Sequence, residues 1–387
     1  MFKIKLQNKI SPLGTELFDA GRYQLGEDVD NPQAILVRSA AMHDLPLPAS
    51  LKSIARAGAG VNNIPIEKCT ESGIVVFNTP GANANGVKEL AIAALLLTSR
   101  DIVGGIEWVN GLAKDIDAAK EVEKGKAAYV GPELQGKVLG VVGLGAVGAM
   151  VANAALALGM EVWGYDPFLT VESAWNLSKA INHARDLKTI YEHSDYITLH
   201  APLTPDTKEM INSQSLALMK RGVRIINLSR AELVSSADIK KALEDGVCAR
   251  YLTDFPTNDV IGAKGVIAVP HLGASTPESE DNCAIMACRE TIDYLENGNI
   301  KNSVNFPDVT EDRVGDVRIC VLHKNQPAIL TQVSASLSEH GVNIERMTNR
   351  SKKDNAYTIL EINGALPEQT EQKITAIAGV IKVNVIR

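Results

Sequence analysis

Three glycines at GxGxxG spacing, Gly143, Gly145 and Gly148, lie between an apolar run through Val138, Leu139, Val141 and Val142 and an Ala-rich stretch. A strand that turns sharply into a helix needs glycine at the turn and at the point of closest approach, and the first helical amides then face a pyrophosphate. A second apolar run, EVWGYD, ends at Asp166, 18 residues after Gly148. A carboxylate there accepts hydrogen bonds from both ribose hydroxyls of an adenosine. No arginine follows it closely and a carboxylate repels a ribose phosphate, so the pattern favours NAD over NADP. Two more reactive residues close strand-like runs: Arg230 after IINLS and His271 after IAVP. A guanidinium fork at a strand end grips an α-carboxylate and its neighbouring oxygen. An imidazole there takes the proton of a hydroxyl whose carbon gives up hydride. A nearby carboxylate would orient that ring and raise its pKa, and Asp259 is the candidate.

These residues need strand ends to carry them. Short apolar runs recur from residue 1 to about 85 and again, as VLGVVG, EVWGYD, YITLHAP, RIINLS, ARYLTDF and VIAVPHLG, to about 280. Strands alternating with helical stretches predict an α/β chain in which a doubly wound Rossmann-type nucleotide domain is inserted into a flavodoxin-like substrate domain. The expected boundaries are 1–90 and 283–308 for the discontinuous substrate domain and 91–282 for the nucleotide domain. DVTEDRVGD reads as a polar linker, and 316–387 as a βαββαβ domain of the ferredoxin-like kind. A net charge of −7 gives no reason to expect nucleic acid or an acidic membrane surface as partner, so an anionic ligand must be met locally. The five cysteines have neither CxxC spacing nor a histidine cluster beside them, which predicts buried thiols and no metal. With no signal-like segment and no long apolar run, a cytoplasmic protein is expected.

The order GLGAVG, YDP, LHAPLTPDT, NLSR, LTDFP, PHLGAST resembles that of the D-2-hydroxyacid dehydrogenase family, and the C-terminal segment resembles an ACT domain. The resemblance covers essentially the whole chain. It implies that Arg230 clamps the substrate carboxylate and that His271 is the general acid/base. It also implies that Asp254 contacts the nicotinamide side and that an acidic residue five positions on supports the histidine. Counting gives Asp259, where the family has Glu; a deletion after Asp254 would put Asn258 there instead. Gly143, Gly145, Ala146, Val147, Gly148, Asp166, Leu228, Ser229, Arg230, Asp254, His271 and Gly273 would line NAD. Within RSA and RAGAGVNNI, Arg38 and Arg56 would meet a substrate phosphate and Gly58 would offer backbone amides to the carboxylate. In the tail, His323, Asn325 and Asn343 fall where family members bind L-serine across a pair of domains, although Ala328 stands where the family has Gly after the Pro. The implied reaction is NAD-dependent oxidation of 3-phospho-D-glycerate to 3-phosphohydroxypyruvate, the first step of L-serine biosynthesis, by a serine-regulated homodimer or homotetramer. The alternatives are a glyoxylate/hydroxypyruvate or other D-2-hydroxyacid reductase and, from another class, a non-catalytic NAD-sensing protein.

Overall fold

The computed structural model describes residues 1–387, the side chain of Glu172 excepted. It forms two compact units, Met1–Asn83 with Glu280–Arg387, and Ala84–Ser279. In the first unit the opening strands are β1 (Phe2–Leu6), β2 (Tyr23–Gly26), β3 (Ala34–Val37), β4 (Ser53–Arg56) and β5 (Val75–Phe77), all parallel in the order β2-β1-β3-β4-β5. That is the doubly wound order of flavodoxin-like sheets. Its central strands are buried along almost their whole length, as parallel strands covered on both faces must be.

The second unit holds β6 (Val138–Val142), β7 (Glu161–Tyr165), β8 (Asn182–His183), β9 (Tyr196–Leu199), β10 (Val223–Asn227), β11 (Cys248–Thr253) and β12 (Val266–Ala268). Their order, β12-β11-β10-β9-β6-β7-β8, is the Rossmann order with one strand added at the far edge. β6 and β9 run parallel side by side, and the strand order reverses between them; the crevice at such a switch point is where a dinucleotide binds. Helix Ala146–Ala157 buries Gly148, Ala149, Val151, Ala152 and Ala155, small side chains that let it lie close to the sheet. Helix Ala84–Ser99 packs against it through Ala91, Ala94 and Leu95. The two units divide at the start of that helix and just inside helix Pro277–Asn297.

The first unit is completed by β13 (Val317–Lys324), β14 (Ile344–Lys352), β15 (Asn355–Ile362) and β16 (Val380–Ile386), an antiparallel sheet in the order β14-β15-β13-β16. With helices Ile329–Ser338 and Glu368–Thr375 this is a βαββαβ unit. One sheet face packs on those helices through Val321, Leu360, Val333 and Ile374. The other contributes Cys320, Leu322, Tyr357 and Ile359 to the apolar cluster that contains Ile4, Phe77, Cys283 and Phe306. Residues 308–316 are correspondingly a docked connection rather than a free linker: Glu311 accepts hydrogen bonds from Thr348 (3.0 Å) and Arg346 (3.3 Å).

Candidate active site

At the switch point each glycine of the fingerprint has a separate steric reason. Gly143 has φ +89°, and a Cβ there would stand 2.6 Å from the His200 carbonyl oxygen. A Cβ on Gly148 would meet the Gly143 oxygen at 1.9 Å, so this residue sets how closely the helix approaches the turn. Around Gly145 nothing lies within 4 Å of a built Cβ, and as N-cap it offers no side chain to the first amides of the helix. The amides of Ala146 and Val147 thus open onto free space, the arrangement a pyrophosphate needs. Asp166 accepts from the Leu144 amide at 2.9 Å and the Phe168 amide at 2.8 Å, which fixes both the loop and the carboxylate at the end of β7. His200 sits behind the turn. Burial pushes its pKa down to about 4, and its Nε2 lies 2.9 Å from Thr198 Oγ1, so it lines the cleft as a neutral imidazole.

Arg230 and His271 come together through a residue that periodicity does not reveal. The Arg230 guanidinium lies over the Phe255 ring with its Cζ 5.4 Å from the centroid, and the His271 ring packs on Phe255 at 4.4 Å. The chain reaches Arg230 by a loop that Asn227, wholly buried at the end of β10, holds from inside. Its Nδ2 donates to the Arg230 carbonyl (2.8 Å) and its Oδ1 accepts from the Ser229 amide (3.2 Å). Ser229 then donates to the Leu199 carbonyl of β9 at 2.8 Å, while Leu228 is buried beneath.

Asp254 organises the opposite side. It is 2% exposed, accepts the Gly273 amide on Oδ2 (3.2 Å) and accepts the His271 amide on its backbone carbonyl (3.1 Å). Burial raises its pKa, against the pull of the Gly273 hydrogen bond and the charges of His271 and Arg230. Oδ1 is buried without a partner. An orphaned acceptor beside the open crevice fits a ligand that brings a donor, as a nicotinamide carboxamide does. Asp259 lies exposed on the turn that follows and makes no hydrogen bond to His271; Asn258 is exposed beside it. The carboxylate held by the same backbone turn that carries the histidine is Asp254.

In the other unit, Arg38 and Arg56 are joined directly: Arg56 Nε donates to the Arg38 carbonyl at 3.1 Å. Arg38 Nη2 pairs with Glu280 Oε1 at 2.5 Å. Gly58 has φ +150°, and a Cβ on it would meet Arg56 Nη1 at 2.2 Å, so only glycine lets the guanidinium lie there. The Gly58 amide donates to the Arg56 carbonyl at 2.9 Å, closing the turn. The neighbouring Asn8 links this cluster to Ser39, which it reaches at 3.2 Å. Among the tail residues, His323 is 3% exposed and both ring nitrogens are engaged, with the Lys324 carbonyl and Thr358 Oγ1, each at 2.8 Å. Asn325 and Asn343 are exposed, donating to the Lys353 carbonyl (3.2 Å) and to Glu345 (3.1 Å). Ala328 adopts φ +67°, the left-handed region that the family's glycine enters without strain.

The fold and the glycine cradle define a dinucleotide-binding protein of the doubly wound class. Residues 93–273 match the family model described as "D-isomer specific 2-hydroxyacid dehydrogenase, NAD binding domain". The chain is 31% identical over 342 residues to D-3-phosphoglycerate dehydrogenase of Escherichia coli (strain K12), a match covering 84% of this chain and 79% of that protein. It is 33% identical over 340 residues to D-3-phosphoglycerate dehydrogenase of Bacillus subtilis (strain 168), covering 82% of this chain and 62% of that one, so it spans under two thirds of that relative's length. The chain belongs to the D-2-hydroxyacid dehydrogenase family, and NAD is the cofactor of its nucleotide-binding unit. Among solved structures it resembles the NAD+-bound 3-phosphoglycerate dehydrogenase of Entamoeba histolytica, with TM-score 0.58 and 26% identity, covering 79% of this chain and 98% of that one. Among the described residues, no helix is long and apolar enough to cross a membrane.

Proposed function

We propose that this protein oxidises 3-phospho-D-glycerate to 3-phosphohydroxypyruvate, the first step of L-serine biosynthesis, in the cytoplasm and as a homodimer or homotetramer. The observation that carries the chemistry is the pairing of Arg230 and His271 across Phe255, backed by buried Asp254. When bound, NAD supplies the hydride acceptor. Arg230 holds the substrate carboxylate by two parallel hydrogen bonds, fixing the carbon that bears the hydroxyl. His271 removes the hydroxyl proton as hydride leaves that carbon, and Asp254 stabilises the resulting imidazolium. Gly143, Gly145, Ala146, Val147, Gly148, Asp166, Leu228, Ser229 and Gly273 hold the dinucleotide. Arg38 and Arg56 take the phosphate, a dianion that a chain of net charge −7 would otherwise repel. The same division of labour makes 1–90 with 283–308 the substrate domain, 91–282 the NAD domain and 316–387 the ACT-like regulatory domain.

The direct test is reduction of 3-phosphohydroxypyruvate by NADH. Robust turnover of glyoxylate or hydroxypyruvate without turnover of the phosphorylated acid would replace this reading with that of a non-phosphorylated 2-hydroxyacid reductase. His271→Ala should lose at least about a thousandfold in kcat with NAD affinity retained, since a general base is worth that order. Unchanged turnover would reject the base, and absence of turnover with every acid would leave an NAD-sensing protein. Feedback by L-serine at Asn325, Asn343 and His323 belongs to the same proposal, and would require His323 to release Thr358. Titration calorimetry with L-serine giving no heat, together with activity insensitive to it, would remove that part.

A further inference from the structure

Arg38 does not wait for a ligand with its charge unmet. Its Nη2 lies 2.5 Å from Glu280 Oε1, and the two side chains are 41% and 44% exposed, so the pair is solvated and can open. The arginine backbone is held from both sides, its amide by Asn8 Oδ1 (2.9 Å) and its carbonyl by Arg56 Nε (3.1 Å), which leaves the guanidinium as the moving part. Next to Glu280, Asp281 accepts from Ser11 Oγ at 2.5 Å and anchors this turn of helix Pro277–Asn297. One helical turn on, the buried Cys283 thiol feels the charges of Arg56, Arg38 and Glu280 together, so the three belong to one cluster. A carboxylate is an odd neighbour for an arginine meant to grip a phosphate, because it would repel the ligand.

We propose that Glu280 is a resident counter-anion for Arg38, a specificity-determining residue with which a phosphate dianion must compete for the guanidinium. It neutralises the clamp when the site is empty and weakens every phosphate-bearing ligand by the cost of opening the pair. An acid ending in a hydroxyl gains nothing by displacing it. This inference rests on Arg38 as the phosphate clamp.

Glu280→Gln keeps an acceptor for the arginine and removes only the charge. The expected result is about two- to fivefold tighter binding of inorganic phosphate by titration calorimetry, the range a solvated pair of this kind carries. The kcat/KM ratio of 3-phosphohydroxypyruvate over hydroxypyruvate should rise by a similar factor. The gain should vanish in an Arg38→Gln background. Weaker phosphate binding, equal changes with both acids, or a gain that survives without Arg38 would each overturn the proposal. If the wild-type protein does not turn over the phosphorylated acid, the functional reading fails. The phosphate titration then judges Glu280 separately: tightening that depends on Arg38 upholds the gate and its absence rejects it.

Discussion

Phe255 joins the clamp to the base, and its removal should show what that junction is worth. Phe255→Ala should lower kcat/KM tenfold or more, since small misplacements of reacting groups cost such factors, while Phe255→Tyr, which keeps the ring, should restore most of it. The carboxylates can be ranked in the same assay: Asp254→Asn should lose at least about tenfold more kcat/KM than Asp259→Asn, because Asp254 is the one electrostatically coupled to His271. Farther down the chain, Ala328 sits at φ +67°, where a Cβ costs about 1 kcal/mol. Ala328→Gly should therefore raise the urea unfolding free energy by about that amount. Arg230 and His271 stood out in the sequence because each follows an apolar run with turn residues after it, and the structure sets both against Phe255. Phe255 did not: one aromatic at a strand end looks like core, and its place appears only when the loops carrying Arg230 and His271 both pack against its ring. Asp259 was reached as the nearby carboxylate and by counting along the chain, and counting does not show that it lies exposed on a turn while Asp254 shares a backbone hydrogen bond with the histidine loop.

Among the elements, helix Pro277–Asn297 carries the strongest electrostatic stress. Glu290 is 8% exposed, its Oε1 accepts from Asn302 at 2.7 Å, and its other oxygen is buried without a partner. Burial raises its pKa to about 8, against the Asn302 hydrogen bond and the Lys301 charge. The native state therefore keeps a proton that the unfolded chain, with an ordinary carboxyl, loses. Its contribution is fully favourable below the unfolded pKa near 4.5 and is lost as pH rises toward 8. Glu290→Gln should flatten that slope and stabilise the protein at pH 8 by a few kcal/mol, to be read from urea curves at pH 5 and pH 8. The strands were legible because parallel strands buried on both faces are continuous apolar runs. The exception is β8, two residues long and too short to leave a pattern. Helix ends were less visible. The apolar spacing from Gly86 to Ile102 reads as one helix, yet the chain stops at Ser99 and restarts at Ile102, because the Asp101 side chain caps the Gly104 amide.

For the whole molecule, the tail departs furthest from what composition suggested. DVTEDRVGD is polar, and polarity in a sequence reads as solvent. In the fold the segment's groups are spent on the sheet: Glu311 accepts from Thr348 and Arg346, and the Gly315 amide donates to Glu361 (3.2 Å), which in turn pairs at 2.5 Å with Arg318, both fully buried. Arg318 also donates to the Glu311 carbonyl (2.9 Å) and to the Asn297 carbonyl that ends helix Pro277–Asn297 (2.6 Å). The apolar side is shared too, since Cys320, Leu322, Tyr357 and Ile359 lie in one cluster with Ile4, Phe77, Tyr294 and Phe306. A regulatory domain on a free linker could be removed without harm to the rest. Here removal would strip one wall from the core of the first unit and leave the carbonyl end of helix Pro277–Asn297 without Arg318. A chain ending at residue 308 should therefore bind ANS, melt well below the full-length protein and lose activity with its fold, whereas Arg318→Met alone should cost about 3–5 kcal/mol by stranding Glu361. A truncated chain that kept the melting temperature and turnover of the parent would mean that the shared cluster carries no stability, and that the tail is an appendage after all.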